Sequence, residues 1–318
     1  MRSLVTAAIA VACAMGTAHA QYPDRPIRWV VPFPAGGTTD TNARTLTQQL
    51  ERQMKASFVV DNRSGANGII GTEIVAKAAA DGHTLLHVSS SIAANPHIYK
   101  KLPYDTLKDL QPVTRIASAV GFLFLGSRGF PATNVKELLA LEKNGERITS
   151  GSPGIGSAMH FGIEAFNQRA GTNLVHVPYK GVAPALTALM GNEVQVAFMP
   201  PTIAMPQVQA GKIRVLAFAG EKRWSLLPDV PTISETIPGL VIPAGWDGLF
   251  APAGVPKEIV ARLHAEVRKA IAVDKVREHL VNGGYEPTGD SPEEFSAFLR
   301  SEVARYGEMA KKVGLKPE

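Results

Sequence analysis

The stretch Pro-Phe-Pro-Ala-Gly-Gly-Thr-Thr-Asp at Pro32–Asp40 decides the fold, because it lies between segments with different hydrophobic periods. Before it, Ile27–Val31 is a continuous apolar run of strand length. After it, Asn42–Met54 carries apolar residues at helical spacing. The prolines and glycines between them indicate a tight strand-to-helix turn. Such a turn leaves backbone N–H groups free at a helix N-terminus, which is a ready site for an anion.

Strand-length apolar runs alternate with helical patterns along most of the remaining chain. The segment Val113–Leu125 is longer and is predicted to be extended throughout. The other predicted strands are Phe58–Val60, Thr84–Val88, Arg147–Ser150, Leu174–Val177, Val194–Met199, Arg214–Ala219 and Trp246–Phe250. Alternation of this kind predicts parallel β–α–β units and therefore an α/β fold.

A second glycine-rich turn, Gly151–Gly156, also follows a predicted strand and precedes a predicted helix. Two extended segments, Val113–Leu125 and Val241–Phe250, separate the two series and are expected to cross between two lobes. We therefore expect residues 21–122 and 246–318 to form a discontinuous first lobe and residues 123–245 a second. Ligands of open α/β sheets bind beyond the carboxyl ends of strands, so the two glycine turns are expected to face each other across a cleft.

Residues 1–20 have the pattern of a secretory signal peptide. Arg2 supplies a positive charge, Leu4–Met15 is apolar, and Ala18-His19-Ala20 has the small-x-small form of a cleavage site. We expect cleavage after residue 20, export to the periplasm and a soluble mature chain. A retained membrane anchor is the less favoured alternative, since the apolar stretch is too short to span a bilayer. Lipoprotein processing at Cys13 is also less favoured, because this cysteine lies within the apolar stretch.

The composition excludes several classes of function. Cys13 is the only cysteine, so a mature chain has no disulfide, cysteine nucleophile or zinc–thiolate site. Removal of Arg2 leaves 32 basic and 28 acidic side chains, a formal charge of +4 spread along the chain. No polybasic run is present, so nucleic acid is not an expected partner. His83 and His87 share one side of a predicted strand without a third ligand, and no metal or cofactor is predicted.

Short motifs spread over the mature chain form a distinctive set. Those in the first half are Tyr22-Pro23-x-x-Pro26, Gly36-Gly37-x-x-Asp40, Asn62-Arg63-x-Gly65-Ala66 and Pro103-Tyr104-Asp105. Those in the second half are His176-Val177-Pro178-Tyr179-Lys180-Gly181, Leu227-Pro228-Asp229-Val230-Pro231-Thr232 and Gly248-Leu249-Phe250-Ala251-Pro252. This set resembles the substrate-binding family of the tripartite tricarboxylate transporters, also called Bug proteins.

The resemblance implies a type II periplasmic binding protein, an α/β protein of two lobes that each contain a sheet flanked by helices. It implies a non-enzymatic protein, expected to be a monomer, that closes on a small carboxylate. Such a protein delivers the carboxylate to membrane permease subunits or, alternatively, acts as the ligand-binding partner of a sensor kinase. In the family, two loops bind the ligand carboxylate mainly through backbone amides and hydroxyls. They correspond to Phe33–Asp40 and Ser150–His160.

The first loop contains no Arg or Lys, so an anion there would be bound by backbone N–H groups and hydroxyls. The ligand-binding candidates in it are Phe33, Ala35, Gly36, Gly37, Thr38 and Asp40. We also expect Thr38, Thr39 or Asp40 to cap the helix that follows, which would not prevent ligand contact. Because an exposed carboxylate would repel the ligand, Asp40 is expected to bond loop amides or waters.

The remaining candidates come from the second loop and from three further strand ends. They are Ser89, Ser90, Ser150, Gly156, Ser157, His160, Tyr179 and Met199. Ser157 is expected to cap a helix, and His160 one turn later is either a ligand donor or a packing residue. The family often has Asp or Gly at the position of Met199, so an apolar residue there suggests a less polar solute. Asn67 and Trp246 are interpreted mainly as structural.

An enzyme is the remaining alternative, since Ser157 and His160 are close in sequence. No Gly-x-Ser-x-Gly elbow surrounds Ser157, and two residues on one helix do not provide a nucleophile, a base and an orienting group. No phosphate-binding Gly-x-x-x-x-Gly-Lys loop is present either. A serine hydrolase is therefore a remote alternative to a binding protein.

Overall fold

The computed structural model describes residues 22–240, 242, 244–312, 314–315 and 317. The predicted signal peptide, including Cys13 and the cleavage site, lies outside the described residues. Within the described ranges, no helix has both the length and the apolar character that a bilayer span requires.

The first sheet contains six strands among the described residues, in the order β11-β4-β10-β3-β1-β2. They are β1 (Ile27–Val31), β2 (Phe58–Asn62), β3 (Thr84–Ser89), β4 (Leu110–Ala119), β10 (Trp246–Pro252) and β11 (Tyr285–Pro287). Strand β1 is parallel to β2 and β3, as the β–α–β pattern predicts. Strand β10 is antiparallel to both of its neighbours, so the sheet is mixed.

The second sheet contains five strands over the same described ranges, in the order β7-β6-β8-β5-β9. They are β5 (Phe122–Ser127), β6 (Thr149–Ser152), β7 (Val175–Pro178), β8 (Val196–Met199) and β9 (Ile213–Ala219). Strand β6 is parallel to β7 and β8, whereas β5 is antiparallel to β8 and β9. In each sheet, the strand that arrives from the other sheet, β10 or β5, is therefore antiparallel to both of its neighbours.

Helices cover both sheets. They are α1 (Thr38–Met54), α2 (Ile69–Ala76), α3 (Ser91–Ala94), α4 (Val135–Lys143), α5 (Ala158–Ala170), α6 (Val182–Met190), α7 (Pro201–Gln209), α8 (Lys257–Ala272), α9 (Asp274–Asn282) and α10 (Pro292–Lys312). Short 3₁₀ turns lie at Ala66–Gly68, Asn95–His97 and Ile233–Glu235.

The predicted extended segment Val113–Leu125 is two strands rather than one. Strand β4 ends at Ala119, and β5 begins at Phe122 in the other sheet. Gly121 makes the change of direction, because its φ is +158° and an added Cβ would lie 2.6 Å from Phe218 Cζ. Phe122, which we expected in the first lobe, is thus the first residue of the second sheet.

Each sheet has its own apolar core. Trp29 and Leu249 are fully buried with α1 and α8 in the first, and Phe124 stacks on Phe198 at 4.4 Å in the second. A further buried cluster contains residues from both sides. In it, Phe161 of α5 packs against Tyr306 of α10 with ring centroids 5.3 Å apart. The two halves of the molecule are therefore in direct apolar contact beside the site described next.

Candidate functional site

A cavity lies between the two sheets. It contains about 630 Å³ of space that no protein atom fills, including its solvent-open mouth. The segments around the first sheet contribute Phe33, Pro34, Gly37, Thr38, Thr39, Asn67, Ser89, Ser90, Ser91, Gly245, Trp246 and Tyr285. Those around the second contribute Phe122, Pro153, Ser157, Ala158, Met159, Gly181, Val182 and Pro200. The space suits a small solute.

Four longer helices of the described chain begin at this cavity. The N-cap residue of each of these helices lines the cavity. These residues are Gly37 of α1, Ser157 of α5, Gly181 of α6 and Pro200 of α7. Each helix N-terminus carries roughly half a positive charge. None of the described lining residues is Arg or Lys. Any positive potential at the cavity wall therefore comes from oriented backbone amides and not from side chains.

The N-terminus of α1 has no side-chain cap, which corrects the expectation that Thr38, Thr39 or Asp40 would provide one. Its N-cap is Gly37, and no side-chain hydrogen bond satisfies the first turn. The side chains are used elsewhere, since Thr39 donates to Asp247 over 3.2 Å and Asp40 accepts from the N–H of Gly36 over 2.9 Å. The first-turn N–H groups of α1 consequently remain available at the cavity wall.

Thr38 provides an unsatisfied hydroxyl at the same place. The residue is only 4% exposed, and its Oγ1 has no hydrogen-bond partner within the described part of the chain. A buried hydroxyl without a partner costs roughly 1–3 kcal/mol. Thr38 also lines the cavity, so this residue lies at the cavity wall.

Asp40 is turned away from the cavity and organises the loop. Burial tends to raise the pKa of this carboxyl group, but hydrogen bonds from Arg44, the Gly36 amide and Asn62 outweigh it and lower the pKa. Arg44 Nε lies 3.0 Å from both carboxylate oxygens, and Asn62 Nδ2 lies 2.9 Å from Oδ1. The negative charge of Asp40 is thus compensated within the loop.

The second loop is held by its own side chains. Ser157 caps α5 by accepting from the N–H of His160 over 3.2 Å, and it donates to the carbonyl of Gly154 over 2.8 Å. The imidazole Nδ1 of His160 accepts from the N–H of Gly156 over 3.0 Å. The histidine is therefore bonded to the loop backbone rather than positioned as a base for Ser157.

His160 also stacks on His176, with ring centroids 3.9 Å apart. His176 Nε2 is 2.5 Å from Ser152 Oγ, at the start of the same loop. Burial, and secondarily the nearby His160, lower the pKa of His176 to about 4. The pair supports the loop from outside the cavity lining.

The structure brings six of the predicted site residues into the lining: Phe33, Gly37, Thr38, Ser89, Ser90 and Ser157. The others lie outside it, namely Ala35, Gly36, Asp40, Ser150, Gly156, His160, Tyr179 and Met199. Ala35 and Gly36 are on the exposed outer side of their turn. Ser150 and Met199 are fully buried. The role of each predicted residue in ligand binding stays a prediction.

Several lining residues were not selected from the sequence. The sequence favours a structural role for Asn67 and Trp246, and it does not single out Gly181, Met159 or Tyr285 as ligand-binding residues. Gly181 and Met159 are near helix starts, a signal that the strand-to-helix turns could have provided. Tyr285 had no such signal, because β11 joins the first sheet only through the tertiary fold.

Known proteins of similar sequence share this two-sheet fold. The sequence model of one protein family, described as the tripartite tricarboxylate transporter family receptor (TctC), matches residues 42–315. The structure of the periplasmic binding protein BugD is similar, with a TM-score of 0.88 and 33% identity over 93% of this chain and 100% of BugD. A protein of R. palustris solved with adipate gives a TM-score of 0.89 and 36% identity over 93% of this chain and 100% of its own. MatC from Rhodopseudomonas palustris, solved with bound malate, gives a TM-score of 0.81 and 30% identity over 91% of this chain and 99% of MatC.

Two mixed sheets flanked by helices, with the cavity between them, define a two-lobe periplasmic binding protein. The chain belongs to the tripartite tricarboxylate transporter receptor family, whose members are periplasmic substrate-binding proteins and not enzymes. The resemblance seen in the sequence and the fold class it implied are confirmed. The serine hydrolase alternative is wrong, in agreement with the bonds that occupy Ser157 and His160.

Proposed function

We propose that this protein binds a small carboxylate in the cavity and delivers it to the membrane permease subunits of a tripartite tricarboxylate transporter. The observation that carries the proposal is the uncapped N-terminus of α1, which meets the cavity beside the unpartnered hydroxyl of Thr38. A carboxylate oxygen would satisfy both the amides and the hydroxyl. We place the boundaries between the lobes where the chain changes sheets, between Ala119 and Phe122 and before Trp246.

The rest of the ligand would contact an apolar wall. The apolar residues of the cavity lining include Phe33, Phe122, Met159, Val182 and Trp246. This lining replaces Met199 as the basis for expecting a less polar solute, because Met199 is fully buried in a core. The family members solved with adipate and malate support an aliphatic mono- or dicarboxylate as the first class to test.

The test is a thermal-shift screen of adipate, malate and aromatic carboxylates, followed by calorimetry. A ligand that binds only the folded state raises the melting temperature, and micromolar affinity corresponds to about −8 kcal/mol. Gly37→Val should fold, because Gly37 has a φ of −78° and an added Cβ would lie 3.4 Å from the Pro34 carbonyl oxygen. Its branched side chain should obstruct the α1 N-terminus and abolish carboxylate binding. Normal affinity in folded Gly37→Val would contradict the site, and stabilisation by neutral sugars alone would contradict the carboxylate.

Delivery is tested separately in cells. Uptake of the radiolabelled carboxylate should require both this protein and the permease subunits. The predicted export, with cleavage after residue 20, is tested by sequencing the N-terminus of the protein recovered from the periplasm. Unchanged uptake without this protein, together with loss of a transcriptional response, would instead support the sensor function.

A further inference from the structure

Ser90 is a cavity-lining residue whose hydroxyl is contacted from the C-terminal helix. The phenol of Tyr306, on α10, donates to Ser90 Oγ over 3.1 Å. Tyr306 is fully buried and Ser90 is 2% exposed. Ser90 stands at the N-cap of α3, but its side chain makes no capping bond. Within the described chain, therefore, its oxygen accepts from Tyr306 while its own proton has no acceptor.

The neighbouring serines differ. Ser89 Oγ donates to Ser91 Oγ over 3.3 Å and accepts from the N–H of Ser91 over 3.5 Å. These two hydroxyls partly satisfy each other. Among the described residues, Ser91 Oγ accepts only from its neighbour in the same turn, whereas Ser90 Oγ accepts from a buried phenol on the C-terminal helix. Ser90 is thus the serine of this turn whose hydroxyl is oriented by a distant element while it lines the cavity.

Tyr306 is held firmly enough to fix this arrangement. Its ring packs 5.3 Å from that of Phe161, and the guanidinium of Arg305 lies 5.0 Å from its ring centroid. Burial raises the pKa of Tyr306, so its phenol keeps its proton at neutral pH. A protonated phenol aimed at Ser90 Oγ occupies an acceptor position on that oxygen and restricts where the serine proton can point.

We propose that Tyr306 is a positioning residue for the ligand: by donating to Ser90 Oγ, it makes the Ser90 hydroxyl a donor directed into the cavity. This inference rests on the proposed carboxylate binding. With one of its two acceptor positions already occupied by Tyr306, the Ser90 hydroxyl favours donation to an acceptor such as a carboxylate oxygen. It discriminates against an amide NH₂ group at the same point. Tyr306 would thereby contribute to the choice between an acid and its amide without touching either.

The test is a double-mutant cycle measured by calorimetry with adipate, or with malate if adipate does not bind. Tyr306→Phe and Ser90→Ala should each weaken binding about five- to tenfold. The double variant should be no weaker than Ser90→Ala, because the tyrosine acts through the serine. Both single variants should also lose part of the preference for the acid over its half-amide. A purely structural role of Tyr306 would not change that preference.

Tyr22→Phe is the matched control. It removes a phenol that donates to the Gly82 carbonyl over 2.6 Å, from a residue outside the cavity lining, and it should leave adipate affinity unchanged. Unchanged affinity in Tyr306→Phe, or additive losses in the double variant, would overturn the inference. If Tyr306→Phe does not fold, an unaltered acid preference in Ser90→Ala overturns it instead. If the wild-type protein binds neither acid nor any carboxylate of the screen, the proposed function fails with it.

Discussion

At the scale of single residues, Thr38 is the residue that most directly supports the proposed binding site. Its hydroxyl is buried and unpartnered beside an uncapped helix end. Such a group does not stabilise the folded state, because an apolar side chain of the same shape would avoid its desolvation penalty. A ligand that supplies the missing partner would account for this buried hydroxyl at the cavity wall.

Thr38→Val should separate stability from binding. The free energy of unfolding without ligand should stay the same or rise by up to about 1 kcal/mol, because an unsatisfied hydroxyl is removed. Adipate affinity should fall by roughly tenfold. Urea denaturation and calorimetry measure the two effects.

The matched control is Thr47→Val on the same helix. Thr47 is also buried, but its Oγ1 donates to the carbonyl of Arg44 over 3.2 Å. This variant should lose stability and keep its affinity. Equal affinity losses in the two variants would contradict the assignment of Thr38 to the site.

His176 makes stability depend on pH. Its pKa of about 4 in the folded protein lies below the value of about 6.5 in the unfolded chain. Between these values the unfolded chain binds the proton and the folded protein does not, so stability falls as pH falls from 7 to 4. The loss should reach about 2 kcal/mol after allowance for partial solvent exposure.

The check is urea denaturation at several pH values for the wild-type protein and His176→Gln. The glutamine retains polarity but does not titrate, so its stability should depend less on pH in this range. Parallel pH profiles for the two proteins would exclude His176 as the cause.

At the scale of elements, the start of α1 is fixed by a residue far away in sequence. Asp247 of β10 is buried and accepts from Thr39 over 3.2 Å and from Asn42 Nδ2 over 2.8 Å. The apolar pattern predicts that α1 begins at Asn42. These bonds explain why it begins at Thr38 instead. The polar residues of its first turn look like a loop in the sequence because their partner is on another strand.

Asp247→Ala should therefore destabilise the protein by about 3 kcal/mol, because it leaves two buried donors without an acceptor. Asp247→Asn retains one acceptor oxygen and should cost about 1 kcal/mol. Urea denaturation gives both values. A loss in Asp247→Asn as large as that in Asp247→Ala would show that the charge, and not the acceptor, matters.

At the scale of the whole molecule, the two lobes meet closely where glycines replace side chains. An added Cβ on Gly181 would lie 2.8 Å from Pro34 Cδ, and one on Gly156 would collide with Ile98 Cδ1. Pro34 and Ile98 belong to the first lobe, and both glycines belong to loops of the second. We expect these contacts to depend on how far the cleft closes, because they join segments of the two sheets.

Gly181→Ala should hinder this closure. Its adipate affinity should fall by roughly tenfold, and the decrease in radius of gyration on adipate binding, measured by small-angle X-ray scattering, should be smaller than in the wild type. Gly171→Ala is the control, since Gly171 also has a positive φ, +68°, but an added Cβ there meets nothing within 4 Å. It should cost about 1 kcal/mol of stability and keep its affinity. If both variants bind normally, the glycine contact does not limit closure.

The sequence by itself determined the class of fold and the strand-to-helix turn that we propose binds an anion. Hydrophobic period, glycine placement and motifs are local properties, so the strands and helices around Pro32–Asp40 follow from them. The tertiary structure alone decided which side chains share the cavity. It turned Asp40 and Met199 away, brought in Trp246 and Tyr285, and placed Tyr306 behind Ser90. The physical reason is that a cavity between two lobes is built from hydrogen bonds and packing between residues that are far apart in the chain.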